Sequence, residues 1–363
     1  MSGETNTLST SHPSQTLAKP RETMRDMSLD IAKGIGIILV VLGHCLDGLI
    51  ASGFFPGTNG AAVYTVFLIY LFHMPLFFVV SGHLASGKHR PVGTTLAKLL
   101  PTVVYPYFLW SVLQALTMVY LSRYTTSHAQ ISSLSKILWI PIVPYWFLYA
   151  LFFCHAGYLV IRRFPPRVQL GIAAAIFLLL QLALPVLGAS HLTVVADTVR
   201  GFLYFILGVV SVAMVRRFGL RTAVWATVLF ALSAVGLSRS PFWGEVFSPA
   251  AVPSGIAGIV ATLAFSRLLA ASPSRATACL AFCGRYSMSI YVMHIFFTSG
   301  CRIALRHLAA GYAQRGAAPM AITTIVEIVS ATALGVALPL GINWAVSRFN
   351  LDKWFGLQHM ETT

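Results

Sequence analysis

Ten stretches of this chain are apolar for long enough to cross a bilayer: 31–50, 61–84, 96–121, 138–161, 169–188, 200–215, 220–238, 249–271, 286–308 and 320–347. Spanning about 30 Å of hydrocarbon takes about 20 residues of helix, and a helix satisfies its backbone polar groups within itself. The pattern therefore predicts an all-α, polytopic transmembrane bundle of about ten spans. An even count places both termini on one side. Composition agrees, with 57% of residues hydrophobic, 10% charged and a mean hydropathy of +0.77, values that a water-soluble domain could not carry.

The net charge of +15 does not signal nucleic acid, because the cations are scattered among short loops and form no single patch. Of 25 Lys and Arg, all but Arg123, Lys136, Arg200, Arg239, Arg302, Arg306 and Arg315 fall on segments that share a side with the N-terminus. This asymmetry predicts N-in, C-in topology. The arginines of 302–315 are its weakest part. Residues 1–27, rich in Ser and Thr and without an apolar core, read as a disordered cytoplasmic tail and not as a signal peptide. Residues 28–350 form one membrane domain, and 351–363 a short cytoplasmic tail. Cys45, Cys154, Cys279, Cys283 and Cys301 are mostly in or beside apolar spans and outline neither a disulfide framework nor a metal site.

With no soluble insertion, any chemistry must use groups inside the bundle or in its loops. The first span has the sequence Asp30-Ile-Ala-Lys33 followed ten residues later by His44. Eleven residues make about three helical turns, so Lys33 and His44 share a face, about 16 Å apart along the axis. Ionisable groups at membrane depth are costly and mark sites or paths. A lysine near a helix end can also simply snorkel to the headgroups, and Asp30, one turn before it, can pair with it. In the second span Pro75 breaks the hydrogen-bond ladder beside His73, in Phe72-His73-Met74-Pro75-Leu76-Phe77-Phe78. His73 either bonds the freed backbone or shares a polar cavity with His44. The ninth span opens with Gly284-Arg285-Tyr286 and places His294 two and a half turns deeper. Arg285 reads equally as a phosphate contact or a membrane anchor.

Taken together, these residues resemble the integral-membrane acyltransferase-3 family. The matching elements are a basic residue and a histidine separated by ten residues (Lys33, His44), Phe72–Phe78 with Ser81 and Gly82, Trp146-Phe147-Leu148, and the Ser-x-x-Ile-Tyr-x-x-His pattern from Ser287 to His294. The first span is most similar to the fucose 4-O-acetylase-like branch, which includes proteins that decorate nodulation factors. The chain ends soon after its last span, as in the stand-alone type. The resemblance implies a bacterial inner-membrane enzyme that moves an acetyl group from acetyl-CoA, a substrate and not a bound cofactor, to a sugar hydroxyl of a lipid-linked or extracellular glycan, such as a fucose of a lipo-oligosaccharide. It further implies catalytic His44 and His73, donor-binding Lys33 and Arg285, and supporting Asp30, Ser81, Trp146 and His294.

A cation-lined mouth, to which Lys98 adds, suits a polyanionic donor, and an imidazole can take the proton of an attacking hydroxyl. A transient acetyl-histidine is the other chemistry open to the same residues. Buried His and Lys also suit a proton-coupled transporter, but many carriers show repeats with matching broken helices in both halves. Here the Lys/His and His/Pro features are concentrated in the first two spans.

Overall fold

The computed structural model describes residues 26–51, 60–87, 91–121, 137–187, 193–246, 248–313 and 320–360. Most of the N-terminal tail, the centre of the first loop, the 122–136 stretch with Arg123 and Lys136, and Arg315 lie outside the described residues. The helices are α1 (Met27–Ala51), α2 (Gly60–Ala85), α3 (Val92–Leu99) running through a π-helical turn into α4 (Tyr105–Leu121), α5 (Trp146–Ile161), α6 (Pro166–Leu187) and α7 (Thr193–Val210). They are followed by α8 (Leu220–Ser238), α9 (Val252–Ala270), α10 (Arg275–Arg285), α11 (Ser287–Ala313) and α12 (Met320–Arg348). The apolar stretches read from the sequence overlap these helices, but residues 138–145 of the fourth stretch form turns ahead of α5 and the 200–215 stretch runs past the end of α7, and no strand occurs among the described residues. Among the described residues eight segments are long and apolar enough to span a membrane, against the ten stretches expected: α5 is a shorter apolar helix, and α7, which carries Asp197 and Arg200, is not one of the eight. The chain is a polytopic helical membrane bundle.

Burial separates the centre from the lipid-facing rim. The most apolar windows of α1 and α2 are 50% and 61% buried, whereas those of α6, α8 and α12 are 17%, 22% and 22% buried. The rim helices expose Leu178, Leu179, Leu182, Leu229, Leu232, Ile325 and Val329, side chains at home against acyl chains. Helices α1 and α2 run antiparallel, since Gly36 of α1 meets Phe77 while Gly43 meets Tyr70. Lys33 therefore stands level with the Ser81 end of α2, and His44 level with Tyr70.

Glycine decides where the central helices cross. A Cβ on Gly34 would lie 2.0 Å from the Leu280 carbonyl oxygen, and one on Gly284 would lie 1.7 Å from the Asp30 carbonyl oxygen. Helices α1 and α10 thus touch backbone to backbone, the close approach that small residues permit within membranes. Gly82 and Gly208 make the same kind of contact between α2 and α7, against Phe205 O and Val79 O. Helix α10, short and not a span, wedges between the Lys33 end of α1 and the start of α11.

Two cations counted with the outer loops prove to be bundle residues. Arg302 packs on Gly48 of α1, and Arg200 pairs with Asp197 at 3.3 Å within α7. Residues after α12 fold back on the bundle. Tyr105 donates from its hydroxyl to Trp354 O (2.6 Å), Trp110 from Nε1 to Phe355 O (3.0 Å), and Leu357 and Met360 are buried.

Candidate active site

Helix α1 is continuous from Asp30 to His44, so the three-turn spacing inferred from the sequence is realised. Lys33 Nζ lies 2.7 Å from Asp30 Oδ1, with side chains 16% and 6% exposed. The ammonium is thus held against the bundle by an ion pair. Three turns on, the half-buried His44 ring faces His294 of α11, with ring centroids 5.2 Å apart, and the edge of Tyr70 of α2 at 6.3 Å.

His294 is fully buried, and its Nδ1–H donates to Tyr291 O at 2.7 Å, with Ile290 O at 3.2 Å. A ring nitrogen facing carbonyls must carry the proton, which leaves Nε2 as the acceptor. That Nε2 has no hydrogen-bond partner among the described residues. An unpaired buried acceptor costs on the order of 1–3 kcal/mol, and native structures keep few of them. Two reciprocal tyrosine bonds hold this part of α11. Tyr145 donates to Val292 O at 2.8 Å, and Tyr291 donates to Pro144 O.

His73, 4% exposed, donates from Nδ1 to Ile69 O at 2.8 Å, a carbonyl of its own helix, and not to Leu71 O, which Pro75 deprives of its helical donor. The backbone of Gly255 in α9 instead packs beside Leu71 O. The His73 ring reaches the others through Tyr70, 5.0 Å away. His44, Tyr70, His73 and His294 thus form one continuous cluster at the α1–α2–α11 junction.

Sequence reasoning missed Tyr70 and Asp47. The Tyr70 hydroxyl donates to Asp47 Oδ2 at 3.2 Å. The signal was available: Asp47 is one turn after His44, and Tyr70 one turn before His73, both on site-facing stripes. Arg285 is exposed at the last residue of α10, next to the Gly284 contact with Asp30, and so stands at the Lys33 end of the bundle. Ser81 and Trp146 are not brought to the histidines. Ser81 borders a separate cavity, and Trp146 packs 6.3 Å from Phe78.

A bundle of this kind, with three histidines converging inside it and an ion-paired lysine three turns away, is a multi-pass membrane protein built around a polar site. A family model described as "Acyltransferase domain" matches residues 27–344, and the chain belongs to this acyltransferase-3 family. The chain is also 35% identical over 136 residues to the nodulation protein NolL of Mesorhizobium japonicum, and 35% identical over 134 residues to NolL of Sinorhizobium fredii. Each match covers 35% of this chain and 34% of the relative, so the chain spans about a third of the length of the curated relatives it matches. Both relatives carry the name of a nodulation protein. No solved structure matches the chain.

Proposed function

We propose that the protein is an O-acetyltransferase of the bacterial inner membrane that moves an acetyl group from acetyl-CoA to a sugar hydroxyl of a lipid-linked, surface or secreted glycan, with a fucose of a lipo-oligosaccharide as the favoured acceptor. The observation that carries this reading is the His44–His294 pair, 5.2 Å between rings, in line with the Lys33–Asp30 pair on one helix. Membership of the acyltransferase family favours transfer chemistry over a proton-coupled carrier.

In this reading the donor enters from the cytoplasmic, Lys33 end, and its thioester reaches inward to His44. Neutral His44 takes the proton of the acceptor hydroxyl as that oxygen bonds to the acetyl carbon. The carbon–sulfur bond breaks, and the proton passes from His44 to the departing thiolate. His294, its Nδ1–H tied to backbone, offers Nε2 to the imidazolium that forms on His44. Proton transfer by a positioned base is worth about 10²–10⁴ in rate. His73 orients Tyr70, and Tyr70 with Asp47 borders the acceptor side. A site closed to bulk water also protects the thioester from hydrolysis.

Mass spectrometry of surface glycans, with and without the gene, tests the reading: deletion should remove one base-labile acetyl group per acceptor. A His44→Ala protein that inserts normally should leave the glycan unacetylated. Wild-type acetylation by that variant would sink the assignment.

A further inference from the structure

Beyond the histidines, on the side away from Lys33, the bundle holds two charged side chains that the transfer steps leave unused. Arg302 of α11 is half-buried, and its Nη1 lies 1.8 Å from where a Cβ on Gly48 would stand. Glu327 of α12 is 2% exposed. Both stand within electrostatic range of Cys45, which packs with Leu49 and Ala331, so α11 and α12 bring a cation and a carboxylate to one stretch of α1. Charges at this depth are costly, and where they face the interior of a bundle they mark a site or a path.

Register sets both beside the reacting centre. Gly48 is one turn past His44 on the same stripe of α1, about 6 Å along the axis. Arg302 springs from α11 two turns past His294, and a helical side chain leans toward the N-terminus of its own helix, here back toward His294. Gly335 of α12 meets Val41, and Ala331 packs with Cys45 and Leu49, so α12 runs antiparallel to α1 and Glu327, one turn before Ala331, is level with Leu49. Asp47 and the Tyr70 hydroxyl, joined at 3.2 Å, stand at the same level.

This chemistry favours a neutral ligand rich in hydroxyls. A guanidinium is a planar fork of N–H donors that holds two oxygens at once and keeps its charge when buried. Glu327 and Asp47 put two carboxylates beside the one cation, a balance that disfavours a phosphate. Donors in a fork, carboxylate acceptors and the Tyr70 ring suit adjacent hydroxyls of a sugar. We infer that Arg302 orients the acceptor: with the reacting hydroxyl at His44, its fork holds the neighbouring hydroxyl of the same sugar ring. Gly48 leaves the room in which that fork lies. This rests on the O-acetyltransferase reading above.

The full-length protein in phosphatidylcholine nanodiscs is assayed for acetyl transfer from acetyl-CoA to p-nitrophenyl α-L-fucoside and to its 3-deoxy analogue, which keeps the 4-hydroxyl and lacks its neighbour. A site that bonds a substrate hydroxyl rejects the analogue without it, so the wild type should prefer the fucoside by about tenfold or more. Arg302→Gln should raise the fucoside KM about tenfold, erase the preference and leave the KM for acetyl-CoA unchanged. Arg302→Lys should keep part of the preference. The three atoms nearest a Cβ on Gly48 all belong to the flexible end of Arg302, so Gly48→Ala should fold and still lose most of the preference. Wild-type preference retained by Arg302→Gln and Gly48→Ala overturns the inference, and a lowered thermal midpoint in those proteins would then make Arg302 a packing residue. Equal slowing on both fucosides, with the preference intact, overturns it in favour of a role in the transfer step itself. A wild type that acetylates both fucosides equally overturns it and leaves the acetyl-transfer reading standing, whereas acetylation of neither overturns it together with the fucose assignment.

Discussion

At the scale of single residues, the polar chemistry of the site depends on which nitrogen of each histidine is already committed. His294 spends its N–H on Tyr291 O and keeps Nε2 unpaired, 5.2 Å ring to ring from His44. Asparagine can reproduce the donation to Tyr291 O but presents nothing at the Nε2 position. His294→Asn should therefore fold and insert, yet lose about 10²-fold or more in acetylation, the scale of a lost acid–base partner. Near-wild-type turnover by that variant would show that Nε2 does not serve His44. Tyr70→Phe keeps the ring between His44 and His73 and removes only the bond to Asp47. A solvent-exposed hydrogen bond of 3.2 Å is worth about 1 kcal/mol, so this variant should slow by about fivefold, and a change in acceptor KM would place Asp47 and Tyr70 on the acceptor side. At position 33 charge should matter more than shape: Lys33→Arg should retain more activity than Lys33→Ala or Lys33→Glu. Equal activity in all three would make Lys33 a membrane anchor only.

At the scale of elements, the position of Lys33 depends on a backbone contact. Helices α1 and α10 meet where Gly34 faces Leu280 O and Gly284 faces Asp30 O, at separations that no Cβ tolerates. Neither neighbour is a flexible side-chain tip that could swing away, so the helices themselves must part. Gly284→Val should destabilise the protein by at least the 1–3 kcal/mol, approximately, of an overpacked core and displace the Asp30–Lys33 pair, lowering both thermal midpoint and activity. Gly93 is the matched control. A Cβ there meets nothing within 4 Å, and Gly93 is an exposed helical residue of α3. Gly93→Ala should leave activity unchanged and raise stability by about 0.5–1 kcal/mol. Equal thermal midpoints for the two variants would refute the close crossing.

At the scale of the whole molecule, the functional groups are graded along the bilayer normal. The Lys33–Asp30 pair and Arg285 stand at one end, while His44, Tyr70, His73 and His294 lie about 12–16 Å deeper by helical rise. In the proposed orientation the shallow end faces the cytosolic donor pool. Reporter fusions near Arg162–Arg167 and near Lys353 should then read cytoplasmic, and fusions within 53–60 should read external. A cytoplasmic reading for 53–60 would reverse the donor path. The inward placement of Arg302 on Gly48 makes a further point about topology, since this arginine contributes to the bundle and not to a loop anchor.

The sequence alone was enough to determine the helical membrane class, the approximate position of most apolar helices, and the Lys33–His44 spacing. Hydrocarbon forces those features locally, because each span must satisfy its own backbone and each intramembrane charge is costly wherever it pairs. The residues that the family motifs mark at His44, His73 and His294 were legible for the same reason. Their meeting was not, since it depends on α11, some 250 residues along the chain from α1, packing beside it. Nor was the role of Tyr70 and Asp47, whose types are ordinary and whose bond joins two helices. The α1–α10 and α2–α7 crossings, the Tyr145 and Tyr291 bonds that hold the His294 turn, and the seating of Arg302 on Gly48 were likewise decided only by tertiary packing. Each depends on which helix lies beside which, and periodicity within one helix carries no record of its neighbour.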